Sequence, residues 1–169
     1  SPSKLDMSRI LSINETYIKT INERDLFEKL TTFAQKFKTK IEESKKNKVM
    51  NSLHFLKNKA KTLEDIYNNS NYILTDNLKI LSDDKSLIDK KSKEIIINFV
   101  EEYEELSSLN RVNIETIIKS LINKHQTNFK GVGQPLRIAL TGTKFGPGIY
   151  DIILSLDKTT VINRLKKLA

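Results

Sequence analysis

Gly131-Val-Gly-Gln-Pro-Leu-Arg-Ile-Ala-Leu-Thr-Gly-Thr-Lys-Phe-Gly-Pro-Gly-Ile-Tyr-Asp-Ile-Ile-Leu-Ser-Leu156 holds every glycine of the chain and two of its three prolines. In a sequence otherwise free of glycine, the unusual backbone turns are concentrated here. A helix is predicted to stop at Gly142 and another to start near Pro147. Gln134 to Leu140 reads as a short helix with Pro135 in its first turn, and Pro147 to Leu156 as the next. Between Arg137 and Ile149 only Lys, Arg, Thr and backbone amides punctuate the apolar positions. That is equipment for holding and reading a ligand rather than for breaking its bonds.

Outward from this stretch the apolar spacing is helical throughout. On the C-terminal side Asp157 caps a last helix with Val161, Leu165 and Leu168 inward, and Lys166 and Lys167 complement its dipole. Upstream, Asn113 begins a helix with Glu115 in its first turn and Ile114, Ile117, Ile118, Leu121 and Ile122 inside. Ser86 to Leu106 reads as a helix with Ile95, Phe99, Tyr103 and Leu106 on one face. Ser82-Asp83-Asp84 has the composition of a loop and of a helix cap and marks a boundary. Before it, Tyr72, Ile73 and Leu74 make a short buried anchor. A single periodic helix carries Val49, Leu53, Leu56, Ala60, Leu63 and Ile66, with Lys57, Lys59 and Lys61 on its other faces and Asn68-Asn69-Ser70-Asn71 ending it. Lys36 to Lys48 reads as an exposed connection with no fold-specifying role. Asn22 caps a helix burying Leu26, Leu30, Phe33 and Phe37, and Met7 to Lys19 places Ile10, Ile13, Tyr17 and Ile18 at nearly helical spacing. No alternating strand pattern and no repeat is found. The expected fold is all-α, in two packed helical groups, residues 1–81 and 82–169.

A chain of 169 residues can bury roughly two-thirds of the surface its unfolded form exposes, so no disulfide or metal staple is required. With no cysteine, thiolate nucleophiles and Cys-based zinc sites are excluded together. No apolar run approaches the ~18 residues of a membrane span, and Ser1-Pro2-Ser3-Lys4-Leu5-Asp6 has no signal core. A cytoplasmic protein is expected. The net charge of +8 is unevenly placed: residues 1–35 cancel, 36–61 carry +7, 62–123 carry −5 and 124–169 carry +6. Two basic blocks separated by an acidic stretch suit two surfaces facing a polyanion. A solvated lysine face is the bland alternative.

Catalytic furniture is sparse. His54 and His125 have no Ser, Cys or Asp partner at a recognisable spacing and read as surface or satisfied histidines. Gly131-Val132-Gly133 lacks the preceding strand and third glycine of a dinucleotide fingerprint, and there is no P-loop. The carboxylates Glu101, Glu102, Glu104 and Glu105 do not all share a face and have no histidine beside them, so they read as solvated rather than metal-binding. No catalytic residue and no metal site is assigned.

Gly133-Gln134-Pro135-Leu136-Arg137, Ala139-Leu140-Thr141-Gly142 and Gly146-Pro147-Gly148-Ile149, followed by the basic terminal run Arg164-Leu165-Lys166-Lys167-Leu168, resemble the C-terminal, anticodon-binding region of bacterial glutamyl-tRNA synthetases. Ser1-Pro2-Ser3-Lys4 through Asn14 to Ile18, and Ala60-Lys61-Thr62-Leu63, match the family more weakly and in the correct order, so the resemblance covers essentially the whole chain. The family's ATP-binding signatures, H-I-G-H and a K-M-S-K-S-like loop, are absent. The resemblance therefore implies a tRNA-binding portion that needs no cofactor itself. ATP with Mg would serve the catalytic domain of the intact glutamate–tRNA ligase. The implied partner is glutamate tRNA, with glutamine tRNA as a second candidate, and a monomer is expected. A freestanding helical nucleic-acid or protein-interaction module is the alternative.

Carried over residue by residue, the resemblance makes Arg137 the arginine that contacts the anticodon loop; a surface ion pair with a nearby acid is the competing reading. Gly146, Pro147 and Ile149 fall in the loop that packs against splayed anticodon bases, with Gly146 standing where a capping hydroxyl is often found. Lys144 and Lys61 are neighbouring cations. Lys59 falls where discriminating members carry an arginine that reads the third anticodon base. A lysine there holds phosphate well and distinguishes bases poorly, which implies relaxed discrimination between glutamate and glutamine tRNAs. At Ser12 the family often has tryptophan, a change expected to affect packing only. Lys59 and Arg137 are then expected to face the same RNA.

Overall fold

The computed structural model describes residues 15–169, which form eleven helices and, among the described residues, no strand. The expectations for Met7 to Asn14, with Ile10, Ser12 and Ile13, and the match at Ser1-Pro2-Ser3-Lys4, lie outside the described residues. The chain divides into two compact units, one ending at Asp76 and one running from Asn77 to Ala169. The division precedes the Ser82 boundary read from composition because the Leu81 N–H donates to the Gly142 carbonyl (2.9 Å), tying residues just before Ser82 to the second unit.

The first unit contains α1 (Glu15–Thr20), α2 (Glu23–Phe37), α3 (Glu43–Leu56), α4 (Leu63–Asn69) and α5 (Asn71–Leu74). Ile18 is buried as expected, whereas Tyr17 is 43% exposed. Asn22 caps α2 by accepting from the Asp25 N–H at 2.9 Å, a bond of the kind that stabilises a helix by about 1 kcal/mol. Leu26, Leu30, Phe33 and Ala34 line its inner face, and Phe37, half-buried, tilts against Phe33 with ring centroids 5.4 Å apart. The charged run expected to be a featureless connection is not one. Ile41 is fully buried, and Glu43 to Lys48 form the first turns of α3.

The single helix expected from Val49 to Ile66 is two helices. α3 ends at Leu56, Lys59 takes a left-handed conformation (φ 63°), and Thr62 starts α4 with a capping box: its hydroxyl accepts from the Asp65 N–H, and the Asp65 carboxylate accepts from the Thr62 N–H. The break escapes the apolar pattern because Ala60 and Leu63 remain buried on either side of it.

The second unit contains α6 (Ser82–Lys85), α7 (Lys90–Glu104), α8 (Arg111–Lys124), α9 (Phe129–Thr141), α10 (Ile149–Ser155) and α11 (Lys158–Leu168). α9 is its centre, packing against α7, α8, α10 and α11. Its length corrects the reading of Gln134 as a helix start. Asn128 caps α9 by accepting from the Gly131 N–H (2.8 Å), so Gly131 and Gly133 are helical and Pro135 lies in mid-helix rather than in the first turn. α8 likewise starts earlier than expected, because Asn110 rather than Asn113 accepts the capping bond (2.9 Å). α7 starts later than Ser86, capped by Asp89. The Ser92 N–H holds the Asp89 carboxyl below its usual pKa. On the buried face of α7 Phe99 stacks on Tyr103 at 5.5 Å. The Tyr103 hydroxyl is buried with no hydrogen-bond partner, and burial pushes its pKa up to about 12.

Candidate nucleic-acid interface

Both left-handed glycines of the chain bracket one loop, from the end of α9 to the start of α10. Gly142 (φ 84°) closes α9, its N–H donating to the Ile138 carbonyl at 2.8 Å. A β-carbon there would strike the Lys79 carbonyl oxygen, so both torsion and space call for glycine. Gly146 (φ 135°) needs glycine for its torsion alone, since nothing lies within 4 Å of where a β-carbon would stand.

The loop is pinned from three sides. Arg137, on the last turns of α9, donates from Nε to the Pro147 carbonyl (3.2 Å) and from Nη1 to the Lys144 carbonyl (3.4 Å). The Lys144 N–H donates to Oδ2 of the buried Asp84 at 3.1 Å. The Thr141 hydroxyl lies 2.8 Å from the Arg137 carbonyl and 3.0 Å from the Thr143 carbonyl, and the Thr143 hydroxyl accepts from the Phe145 N–H at 3.2 Å. Half-buried Arg137 has its pKa lowered by desolvation. It has no carboxylate partner among the described residues, so the ion pair that competed for this arginine is not formed. A guanidinium carries five N–H donors. Two serve the loop carbonyls, which leaves three and a full charge available to an incoming acceptor.

The structure therefore brings Arg137, Lys144, Gly146, Pro147 and Ile149 to one loop, in unequal positions. Gly146 is exposed, Lys144 and Pro147 are half-buried, and Ile149 is 1% exposed. Ile149 anchors the start of α10 in the core, and its side chain is not on the surface. Lys59 and Lys61 belong to the other unit, on the turn between α3 and α4. Both are exposed, and neither forms an ion pair among the described residues. Other lysines of that basic block are engaged: Lys38 with Glu64 (2.7 Å), Lys45 with Asp76 (2.7 Å) and Lys57 with Glu23 (3.6 Å).

Two participants were missed by the motif reading. Asp84 braces the loop from sixty positions away in sequence. Phe145 is 71% exposed, with the Lys144 ammonium 5.3 Å from its ring centroid. An aromatic set between Lys and Gly, outside any apolar period, was the available signal for Phe145; nothing local marks Asp84. His54 is exposed, and the half-buried His125 places Nε2 2.9 Å from the Asn98 Oδ1. Among the described residues no three His, Cys, Asp or Glu side chains cluster to hold a metal, and no helix is long and apolar enough to cross a membrane. A cavity of about 210 Å³ lies between α7 and α9, lined by Asp89, Thr127, Gln134 and Pro135 among others, but by neither Arg137 nor any residue of the loop.

The family described as "Anticodon binding domain" matches residues 25–169. A glutamate–tRNA ligase of Pelagibacter ubique is 58% identical over 98% of the chain, which covers 35% of that relative. One of Syntrophus aciditrophicus is 30% identical over 99% of the chain, covering 35% of it. The chain thus spans about a third of the length of these curated relatives. A crystal structure of a glutamate tRNA ligase from Elizabethkingia meningosepticum shares the fold, with a TM-score of 0.75 at 17% identity over 92% of this chain and 30% of that one.

Proposed function

The chain belongs to the anticodon binding domain family, and on that premise we propose that it recognises the anticodon loop of a tRNA as part of a glutamate–tRNA ligase. The observation that carries this reading is Arg137: a half-buried guanidinium with no carboxylate partner among the described residues, oriented by two loop carbonyls and keeping donors to spare. Such a fork hydrogen-bonds a base edge or stacks on a splayed base. Lys144 adds charge for the backbone, and Gly146 and Pro147 form the surface on which an unstacked base rests. Ile149 contributes from below, by anchoring the loop. The intact protein, a cytoplasmic monomer, activates glutamate with ATP and Mg and transfers it to tRNA. The family's ATP signatures, H-I-G-H and a K-M-S-K-S-like loop, are not in this sequence, so ATP and Mg belong to the catalytic portion of the intact ligase and no chemical step is assigned to these residues.

Lys59 and Lys61 serve as the contacts of the first unit. The Lys59 ammonium is a single flexible point charge, suited to phosphate and poor at distinguishing bases. Relaxed discrimination follows: the intact ligase loads glutamate onto glutamine tRNA as well as glutamate tRNA. Charging of transcripts with the third anticodon base exchanged tests this, and a large loss of rate on exchange defeats it. The binding reading is tested by titrating the chain with glutamate, glutamine and an unrelated tRNA at two salt concentrations. Preference for the first two, with affinity falling steeply as salt rises because lysines displace condensed counterions, is the expected result. Equal affinity for all three would favour a freestanding, non-selective module.

A further inference from the structure

We infer that Phe145 is a stacking platform for one unpaired RNA base, a recognition element separate from Arg137, Gly146, Pro147 and Ile149. The inference rests on the anticodon reading above and deepens it. Its ring is the most exposed of the large hydrophobic side chains among the described residues, at 71%, and the loop gives it no route to the interior. The Lys144 N–H is held by Asp84, the Lys144 and Pro147 carbonyls by Arg137, and the Phe145 N–H by the Thr143 hydroxyl. A side chain whose flanking backbone is fixed so firmly is presented to solvent in advance, which lowers the entropy lost when a partner arrives.

The surroundings select the partner. The Lys144 ammonium lies 5.3 Å from the ring centroid, and exposed Lys79 and Lys85 flank the segment that hydrogen-bonds the loop through Leu81 and Asp84. Leu81 is itself 60% exposed. An aromatic face with an ammonium beside it fits a nucleobase with its phosphate, because every base offers a π-face and the backbone supplies the charge. A neutral apolar partner would gain nothing from the ammonium beside the ring.

The test uses the whole chain, an anticodon stem-loop hairpin RNA, and the same hairpin with 2-aminopurine at successive loop positions. Phe145→Ala is expected to keep the wild-type melting temperature, since the side chain is exposed, and to weaken hairpin binding roughly 5- to 150-fold, the range of one lost base–aromatic stack. Phe145→Tyr and Phe145→Trp should restore binding and Phe145→Leu should not, while affinity for a fully paired RNA duplex should be unchanged in all four. At one loop position 2-aminopurine should be quenched by the wild-type chain and stay bright with Phe145→Ala. Wild-type hairpin affinity in Phe145→Ala, beside a loss in Arg137→Ala, overturns the platform and leaves the anticodon reading standing. Full rescue by Phe145→Leu also overturns it, reducing the ring to a nonspecific apolar contact. A chain that binds no hairpin at all removes the anticodon reading and the platform together.

Discussion

The loop from Gly142 to Gly148 and the turn from Lys57 to Lys61 both present cations at a break between helices, but they are built in opposite ways. In the loop, both left-handed positions are glycines and the guanidinium is fixed by carbonyls before any ligand arrives. In the turn, the left-handed position is a lysine, and the backbone is held by ordinary turn bonds, the Ala60 N–H on the Lys57 carbonyl (3.1 Å) and the Lys61 N–H on the Asp65 carboxylate (2.8 Å), with no side chain fixing the cation itself among the described residues. A left-handed torsion costs a non-glycine residue roughly 1–2 kcal/mol, so the turn retains a conformational cost that the loop has removed. On the proposed function, the contrast separates two modes of recognition: a preorganised fork suited to selecting, and an ammonium suited only to attracting.

The largest expected effect comes from breaking the loop at its hinge. Gly142→Ala combines the torsional cost with a clash against the Lys79 carbonyl and should cost on the order of 3 kcal/mol in urea unfolding of the second unit. Gly146→Ala meets no neighbouring atom and should cost only its torsional share, roughly 1–2 kcal/mol. Equal losses would mean that packing at residue 142 contributes nothing.

Next in size is the fork. Arg137→Ala should weaken tRNA binding by about 1–3 kcal/mol with a dependence on anticodon sequence, and Arg137→Lys should recover the charge-driven part alone. A loss identical for unrelated RNAs would reduce Arg137 to a brace for the loop.

The turn should respond in the other direction. Lys59→Gly relieves roughly 1–2 kcal/mol of strain while loosening the unfolded chain by about 0.4–1 kcal/mol, so a net stabilisation of roughly 0.5 kcal/mol is expected by thermal melt. The same change should weaken RNA binding similarly for every sequence and flatten the salt dependence by roughly one phosphate contact. A sequence-dependent loss would show that Lys59 selects bases after all.

The smallest effect is a control in neither region. Tyr103→Phe removes a buried hydroxyl without a partner and should be neutral or stabilising by up to about 1 kcal/mol. With the folded pKa raised to about 12 from the ordinary tyrosine value of 10.0, the unfolded chain loses its proton first. Wild-type stability should therefore fall between those two pH values, by more than that of the variant.

Much of this was legible. Asn22, Gly142 and the inner faces of α2, α7, α8 and α11 follow from caps and apolar spacing that act within a few residues. The break at Lys57–Lys61 was written in Thr62-x-x-Asp65, a recognisable capping box, but an unbroken apolar period outweighed it. The early start of α9 was written in Asn128 and was masked by two glycines and a proline, which read as a turn. Tyr17 counted as apolar and is exposed, because an amphipathic ring satisfies either environment.

By itself the sequence determined the all-α class, the main helices and the family likeness, because periodicity, capping and motif spacing are local properties of the chain. Only the tertiary structure decided that Ile149 faces inward while Phe145 faces out, that Arg137 spends part of its fork on the loop it stands under, and that Asp84 braces Lys144 from sixty residues away. Where a loop side chain points depends on how its backbone is pinned by elements distant in sequence, and no local pattern encodes that.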